Sequence, residues 1–60
     1  MNKLKKLREK RKLTQEELAN KAGVSRVTIS NLENGTYENI NLGTLRKLAS
    51  ALHVPVGYFF

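Results

Sequence analysis

The apolar and polar positions of the chain form three clusters of the same kind, and each cluster predicts the start of a helix. In every cluster an apolar residue precedes a capping residue, and a second apolar residue follows five positions after the first. Apolar residues on both sides of a Thr, Ser or Asn N-cap are typical of the hydrophobic staple. The clusters are Leu13, Thr14 and Leu18; Val24, Ser25 and Ile29; and Ile40, Asn41 and Leu45.

Local signals also mark both ends of the second predicted helix. Thr14 and Glu17 have the spacing of a capping box, so this helix is expected to start at about Gln15. Gly23 predicts its end, because glycine readily adopts the left-handed conformation that follows many helices. Only one residue separates Gly23 from the Ser25 cap. The turn between the second and third helices must therefore be tight.

Apolar spacing predicts one more helix before these three, and a small shared core. Residues 45–52 carry apolar side chains at the i, i+3, i+4 and i+7 spacing of one helix face. The third helix is expected to stop at Asn34 and Gly35, and the fourth near Pro55. The sequence thus predicts an all-α fold of four to five short helices, in a single domain over residues 1–60. The expected core consists of Leu4, Leu7, Leu18, Ala19, Val24, Ile29, Leu32, Leu45, Leu48 and Leu52.

The composition argues against an enzyme, a metal site and a disulfide framework. The 60 residues include no cysteine, one histidine and five acidic residues, so neither a disulfide framework nor a Cys-based zinc site has ligands. Catalytic and metal-binding clusters need more such groups than this. We therefore expect no enzyme activity, no cofactor, no metal site and no small-molecule ligand.

The charge points to a polyanionic partner. The formal net charge is +6, and seven of the eleven basic residues fall within residues 1–12. Such a block favours nucleic acid or an anionic membrane surface, although a solvated helix face has the same appearance. No stretch approaches the roughly 20 apolar residues of a membrane span, and no signal peptide is recognisable. We expect a cytoplasmic protein with no membrane partner.

Two short helices joined by a glycine-containing turn are typical of a helix-turn-helix, and also of a plain helical hairpin. Residues 15–35, QEELANKAGVSRVTISNLENG, closely resemble the helix-turn-helix of the phage repressor and Cro family, which is also described as λ-repressor-like or XRE. The matching positions include the small Ala19, Gly23 in the turn, and Val24, Ile29 and Leu32. Residues 45–52 resemble that family's fourth helix.

This resemblance implies a sequence-specific transcriptional regulator of double-stranded DNA. It further implies a repressor that acts as a homodimer on a near-palindromic operator. The alternative is an antitoxin-like protein-interaction module with secondary DNA binding. A recognition face rich in Arg, Ser and Asn favours the DNA-binding interpretation.

The outward face of the third helix supplies the candidate base-reading residues. Arg26 can bridge guanine O6 and N7, Asn31 can pair with adenine N6 and N7, and Val27 can contact a thymine methyl group. In the resembled family these positions read bases. The alternatives are solvated surface for Arg26 and Asn31, and partial packing against the second helix for Val27. The expected base readers are Arg26, Val27, Ser30 and Asn31.

Phosphate contacts are expected at helix starts and in the loop after the third helix. Gln15 occupies the first position of the second helix, where free amides and the helix dipole favour an anion. The resemblance also implies phosphate contact for this glutamine. The other candidates can act simply as capping and turn-forming residues. The expected set is Gln15, Ser25, Asn34, Thr36 and Tyr37.

Two further groups of residues are candidates for structural roles, one as an ion pair and one as a dimer surface. The resemblance implies an ion pair between Arg8 and Glu33, whereas the alternative is two surface side chains that lie over apolar groups without pairing. The apolar tail either folds back as a fifth helical turn or begins a dimer surface. The expected dimer surface consists of Leu52, Val54, Val56, Tyr58, Phe59 and Phe60.

Overall fold

A computed structural model describes residues 2–35 and 41–59, and within these ranges every regular element is helical. The helices are α1 (Asn2–Lys10), α2 (Gln15–Ala22), α3 (Arg26–Asn34) and α4 (Leu42–Leu52), followed by a 3-10 helix at Val56–Phe59. No strand occurs in the described ranges. The all-α prediction is confirmed.

The three predicted N-caps begin their helices. The Thr14 hydroxyl accepts a hydrogen bond from the Glu17 backbone N–H at 3.0 Å, and the Glu17 carboxylate accepts one from the Thr14 N–H at 2.8 Å. Ser25 caps α3 and Asn41 caps α4 in the same extended backbone conformation. Ile40, the first apolar residue of the third cluster, lies outside the described residues. Helix starts were therefore readable from short local patterns.

Three helix ends share one hydrogen-bond pattern around a left-handed residue. Lys12, Gly23 and His53 have φ values of 59°, 74° and 59°. The following apolar residue donates its N–H to a carbonyl five residues back, which is the Schellman arrangement. Its side chain then packs against the core. The bonds run from Leu13 to Arg8 at 3.1 Å, from Val24 to Ala19 at 3.0 Å and from Val54 to Ala49 at 3.0 Å.

The core lies where α1, α2, α3 and α4 meet. Every predicted core residue is buried except Val24, which is partly buried and packs against the others. Val24 is the residue that follows the Gly23 turn, so its side chain lies at the edge of the core rather than inside it. The buried apolar residues that the prediction omitted are Ala49, Ala51 and Phe59.

The apolar tail folds back onto the domain. Leu52 is 0% exposed and Phe59 is 7% exposed, so the expectation that they belong to an exposed dimer surface is wrong. Leu52 completes the core-facing stripe of α4, and the 3-10 helix after Pro55 returns Phe59 to α1 and α4. Val54 and Val56 are half-buried and Tyr58 is exposed. Phe60 lies outside the described residues.

Candidate nucleic-acid interface

The α2–turn–α3 unit has the compact geometry of a helix-turn-helix. α2 ends at Ala22, and α3 begins four positions later at Arg26. Gly23 adopts the left-handed conformation and donates its N–H to the Ala19 carbonyl at 2.9 Å. Glycine suits this position because a side chain there would be strained by the positive φ. The short turn fixes the direction in which α3 leaves α2.

The two faces of α3 differ sharply in exposure. Ile29 is fully buried and Leu32 is 2% exposed, whereas Val27 is 59% exposed. Most of the Val27 side chain is therefore accessible to a ligand, whatever part of it packs against α2. An isolated exposed valine is common on protein surfaces, but here it lies among polar groups on one helix face. The residues away from the core are Arg26 and Val27, both exposed, and Ser30 and Asn31, both half-buried.

The start of α3 is held by a small hydroxyl network. The Ser25 hydroxyl accepts from the Thr28 N–H at 3.1 Å and pairs with the Thr28 hydroxyl at 2.8 Å. The cap uses one acceptor site of Ser25. The hydroxyl hydrogen of Ser25 remains available to an outside acceptor when Thr28 is the donor of the pair.

A hydrogen bond connects a base-reading candidate to a phosphate-contact candidate. Asn34 Nδ2 donates to the Ser30 hydroxyl oxygen at 3.4 Å, one helical turn away. This bond occupies an acceptor site of Ser30 and leaves its hydroxyl hydrogen free to donate. Thr36 and Tyr37, the other two candidates in this region, lie outside the described residues.

A buried polar network lies behind this surface and joins three helices. Arg8 Nε donates to Glu33 Oε2 at 2.6 Å, and a second guanidinium nitrogen donates to Glu33 Oε1 at 3.0 Å. The third guanidinium nitrogen donates to the Leu13 carbonyl at 2.6 Å. Gln15 Nε2 also donates to Glu33 Oε1 at 3.0 Å. The structure thus contains the Arg8–Glu33 pair that the resemblance implied, and adds Gln15 to it.

The network favours the ionised forms of both charged groups. Burial raises the pKa of Glu33, but hydrogen bonds from Arg8 and Gln15 and the nearby positive charge outweigh it, so the pKa lies below its ordinary value. The hydrogen bond to Glu33 raises the pKa of Arg8. No local pattern in the sequence indicates the Gln15–Glu33 bond, because 18 positions separate the two residues.

Two other kinds of site are missing from the residues that the structure describes. Residues 2–35 and 41–59 contain no group of three or more His, Asp or Glu side chains that could hold a metal ion. Within the same ranges, every helix is too short or too polar to cross a membrane.

Comparison with known proteins gives one family and two relatives. Residues 4–59 match the profile of a family described as helix-turn-helix. The chain is 48% identical over 52 residues to HTH-type transcriptional repressor RghR of Bacillus subtilis (strain 168), a match that covers 87% of this chain and 38% of RghR. It is 46% identical over 52 residues to the uncharacterized HTH-type transcriptional regulator RghRB of that strain, covering 87% and 37%. The chain spans less than two-fifths of the length of these relatives.

Proposed function

The chain belongs to the helix-turn-helix family of the phage repressor and Cro type, and from that premise we propose that it binds double-stranded DNA sequence-specifically and regulates transcription. In this fold the second helix of the motif enters the major groove, with residues near its N-terminus against the base edges. That helix is α3. The proposal assigns no enzymatic step to the domain.

The face of α3 that points away from the core is the observation that carries the proposal. It combines a guanidinium, an amide, a hydroxyl and one apolar group, from Arg26, Asn31, Ser30 and Val27. These are the groups that distinguish base pairs in the major groove, where each pair presents its own donors, acceptors and methyl group. We assign base reading to these four residues.

Phosphate contacts are proposed at the two ends of the motif. Gln15 begins α2, where the first backbone N–H groups have no partner inside the helix. Asn34 is exposed at the end of α3, and Ser25 caps the start of the same helix. Thr36 and Tyr37 complete the proposed set. The basic residues of α1 add long-range attraction to the duplex.

We assign repression, dimerisation and a near-palindromic operator to the chain as further parts of the proposal. One of the relatives is named as a transcriptional repressor, which supports the first part. A single recognition helix contacts few base pairs, which is too little discrimination against roughly 10⁶ or more competing genomic sites. A second copy related by a two-fold axis doubles the contacts and requires a palindrome.

Selection from a random pool of duplexes tests the proposal. Purified protein is incubated with the pool at about 0.15 M salt, and bound duplexes are amplified and sequenced over several rounds. We expect a motif with two inverted half-sites whose centres lie about 34 Å apart. A pool that stays random, with equal affinity for every duplex, would contradict sequence-specific binding. The antitoxin-like alternative would then be favoured.

A further inference from the structure

A buried carboxylate lies behind the residue that is proposed to contact phosphate at the start of α2. Gln15 Nε2 donates to Glu33 Oε1 at 3.0 Å. An ionised carboxylate only accepts hydrogen bonds, so the side of the Gln15 amide that faces it must be the nitrogen. Glu33 therefore determines which way the amide of Gln15 points.

Glu33 is itself held rigidly. Its side chain is 2% exposed, and both of its oxygens accept hydrogen bonds from Arg8. Arg8 is fixed in turn by the Leu13 carbonyl at 2.6 Å. A group that is held in this way orients its partner before any ligand arrives, which removes part of the entropy cost of binding.

We propose that Glu33 is a positioning residue for DNA binding. Its carboxylate takes one hydrogen of the Gln15 amide nitrogen and leaves the second hydrogen of the same nitrogen to donate to a backbone phosphate. This inference rests on the proposed function, because it concerns how the proposed phosphate contact of Gln15 is arranged. It gives the ion pair a role in binding that is separate from its role in stability.

The charge of Glu33 and its proposed positioning role predict opposite effects on DNA affinity when Glu33 is replaced. Removal of a negative charge near DNA strengthens attraction to phosphate, whatever the residue does otherwise. Glu33→Gln also puts an amide donor where Arg8 or Gln15 needs an acceptor, so the orientation of Gln15 is lost. Glu16→Gln is the matched control, because it removes the same single negative charge from an exposed residue in the first turn of α2.

The test measures dissociation constants for the selected duplex with five proteins, each corrected for its folded fraction by circular dichroism. They are the unsubstituted protein, Glu16→Gln, Glu33→Gln, Gln15→Ala and the double variant of the last two. We expect Glu33→Gln to bind about tenfold more weakly, the size of one hydrogen bond to a charged group. Glu16→Gln should bind equally well or more tightly. The double variant should bind no more weakly than Gln15→Ala.

Two results would overturn the inference. One is a Glu33→Gln protein that binds as well as Glu16→Gln, and the other is a loss of the same size in the Gln15→Ala background. Because Gln15 is neutral, the loss of binding in Gln15→Ala should leave the salt dependence of binding unchanged. If the unsubstituted protein itself selects no duplex, the proposed function fails instead.

A measurement on the unsubstituted protein keeps the inference testable if Glu33→Gln does not fold. Nuclear magnetic resonance follows the two side-chain amide hydrogens of Gln15, with exposed Asn20 on the same helix as the reference. In the free protein one Gln15 hydrogen should exchange with water more slowly than those of Asn20, and DNA should slow the other. Equal exchange for Gln15 and Asn20 in both states would overturn the inference.

Discussion

Arg8 Nε and Glu33 Oε2 lie 2.6 Å apart and join the first helix to the end of the third, across 25 positions of sequence. The pKa of Glu33 lies below its ordinary value, so its ionised form stabilises the fold. That contribution is complete above the unfolded-state pKa of about 4.3 and is lost as the pH falls through the lower folded-state pKa. We expect the free energy of unfolding, measured by urea titration, to fall as the pH is lowered below about 5.

Glu33→Gln identifies the source of this acid sensitivity. At pH 7 it should cost about 1–3 kcal/mol, because Arg8 or Gln15 loses its acceptor in a buried site. Below the folded-state pKa the difference from the unsubstituted protein should shrink, since Glu33 is then also neutral. Glu16→Gln should retain most of the acid dependence. Parallel pH profiles for the Glu33→Gln and unsubstituted proteins would assign the dependence to other carboxylates.

The end of α4 offers a stabilising substitution. His53 adopts a φ of 59° with an exposed side chain, and a side chain in this left-handed region costs about 1 kcal/mol that glycine avoids. His53→Gly should therefore raise the melting temperature by about 4–8 °C. The measurement is thermal unfolding followed by circular dichroism. A lower melting temperature would mean that the imidazole makes a stabilising contact at this helix end.

Two glycines should respond differently to alanine. Gly23 has a φ of 74°, whereas Gly57 has no positive φ. At both positions an added Cβ would meet no other atom within 4 Å. Gly23→Ala should cost about 1 kcal/mol, and Gly57→Ala should be neutral or stabilising by up to about 1 kcal/mol. Urea unfolding of both variants at pH 7 checks this. Equal costs would contradict the conformational explanation.

Base reading by Arg26 is tested by comparing two duplexes. Arg26→Ala should weaken binding to the selected duplex by about 1–3 kcal/mol and weaken binding to a random duplex less, so that the protein discriminates less between sequences. Lys47→Ala is the control, because Lys47 is exposed on α4 outside the helix-turn-helix. It should leave the preference intact. If Arg26→Ala weakened both duplexes equally, Arg26 would contact phosphate rather than bases.

Helix starts and the core stripe were readable from the sequence because they depend on neighbours within one or two turns. Thr14 with Glu17 is such a local pattern, and it appears in the structure as a capping box. The burial of Phe59 was not readable, since an aromatic tail fits a core and an interface equally well. The Gln15–Glu33 bond depends on how α3 lies beside α2, which no local spacing specifies. The Arg8–Glu33 ion pair was predicted from the resemblance to a family and not from local spacing.

The part of the apolar tail that stays available to a second copy is small. Leu52 and Phe59 are buried, so Val54 and Val56, both half-buried, and Tyr58, 39% exposed, are what the described tail offers. So small a surface supports only a weak dimer without DNA, because stable interfaces bury about 800 Å² on each partner. We expect a palindromic duplex to strengthen the proposed dimer by holding both copies side by side.

Tyr58 is the tail residue best suited to test the dimer. For protein that remains folded, Tyr58→Ser should leave binding to a single half-site unchanged, because Tyr58 lies outside α3, and should lower cooperative binding to the palindrome. Tyr58→Phe keeps the ring and should retain cooperativity. Sedimentation with palindromic and half-site duplexes gives both quantities. One protein per palindromic duplex at saturation, or full cooperativity in Tyr58→Ser, would place the dimer contact elsewhere or remove it.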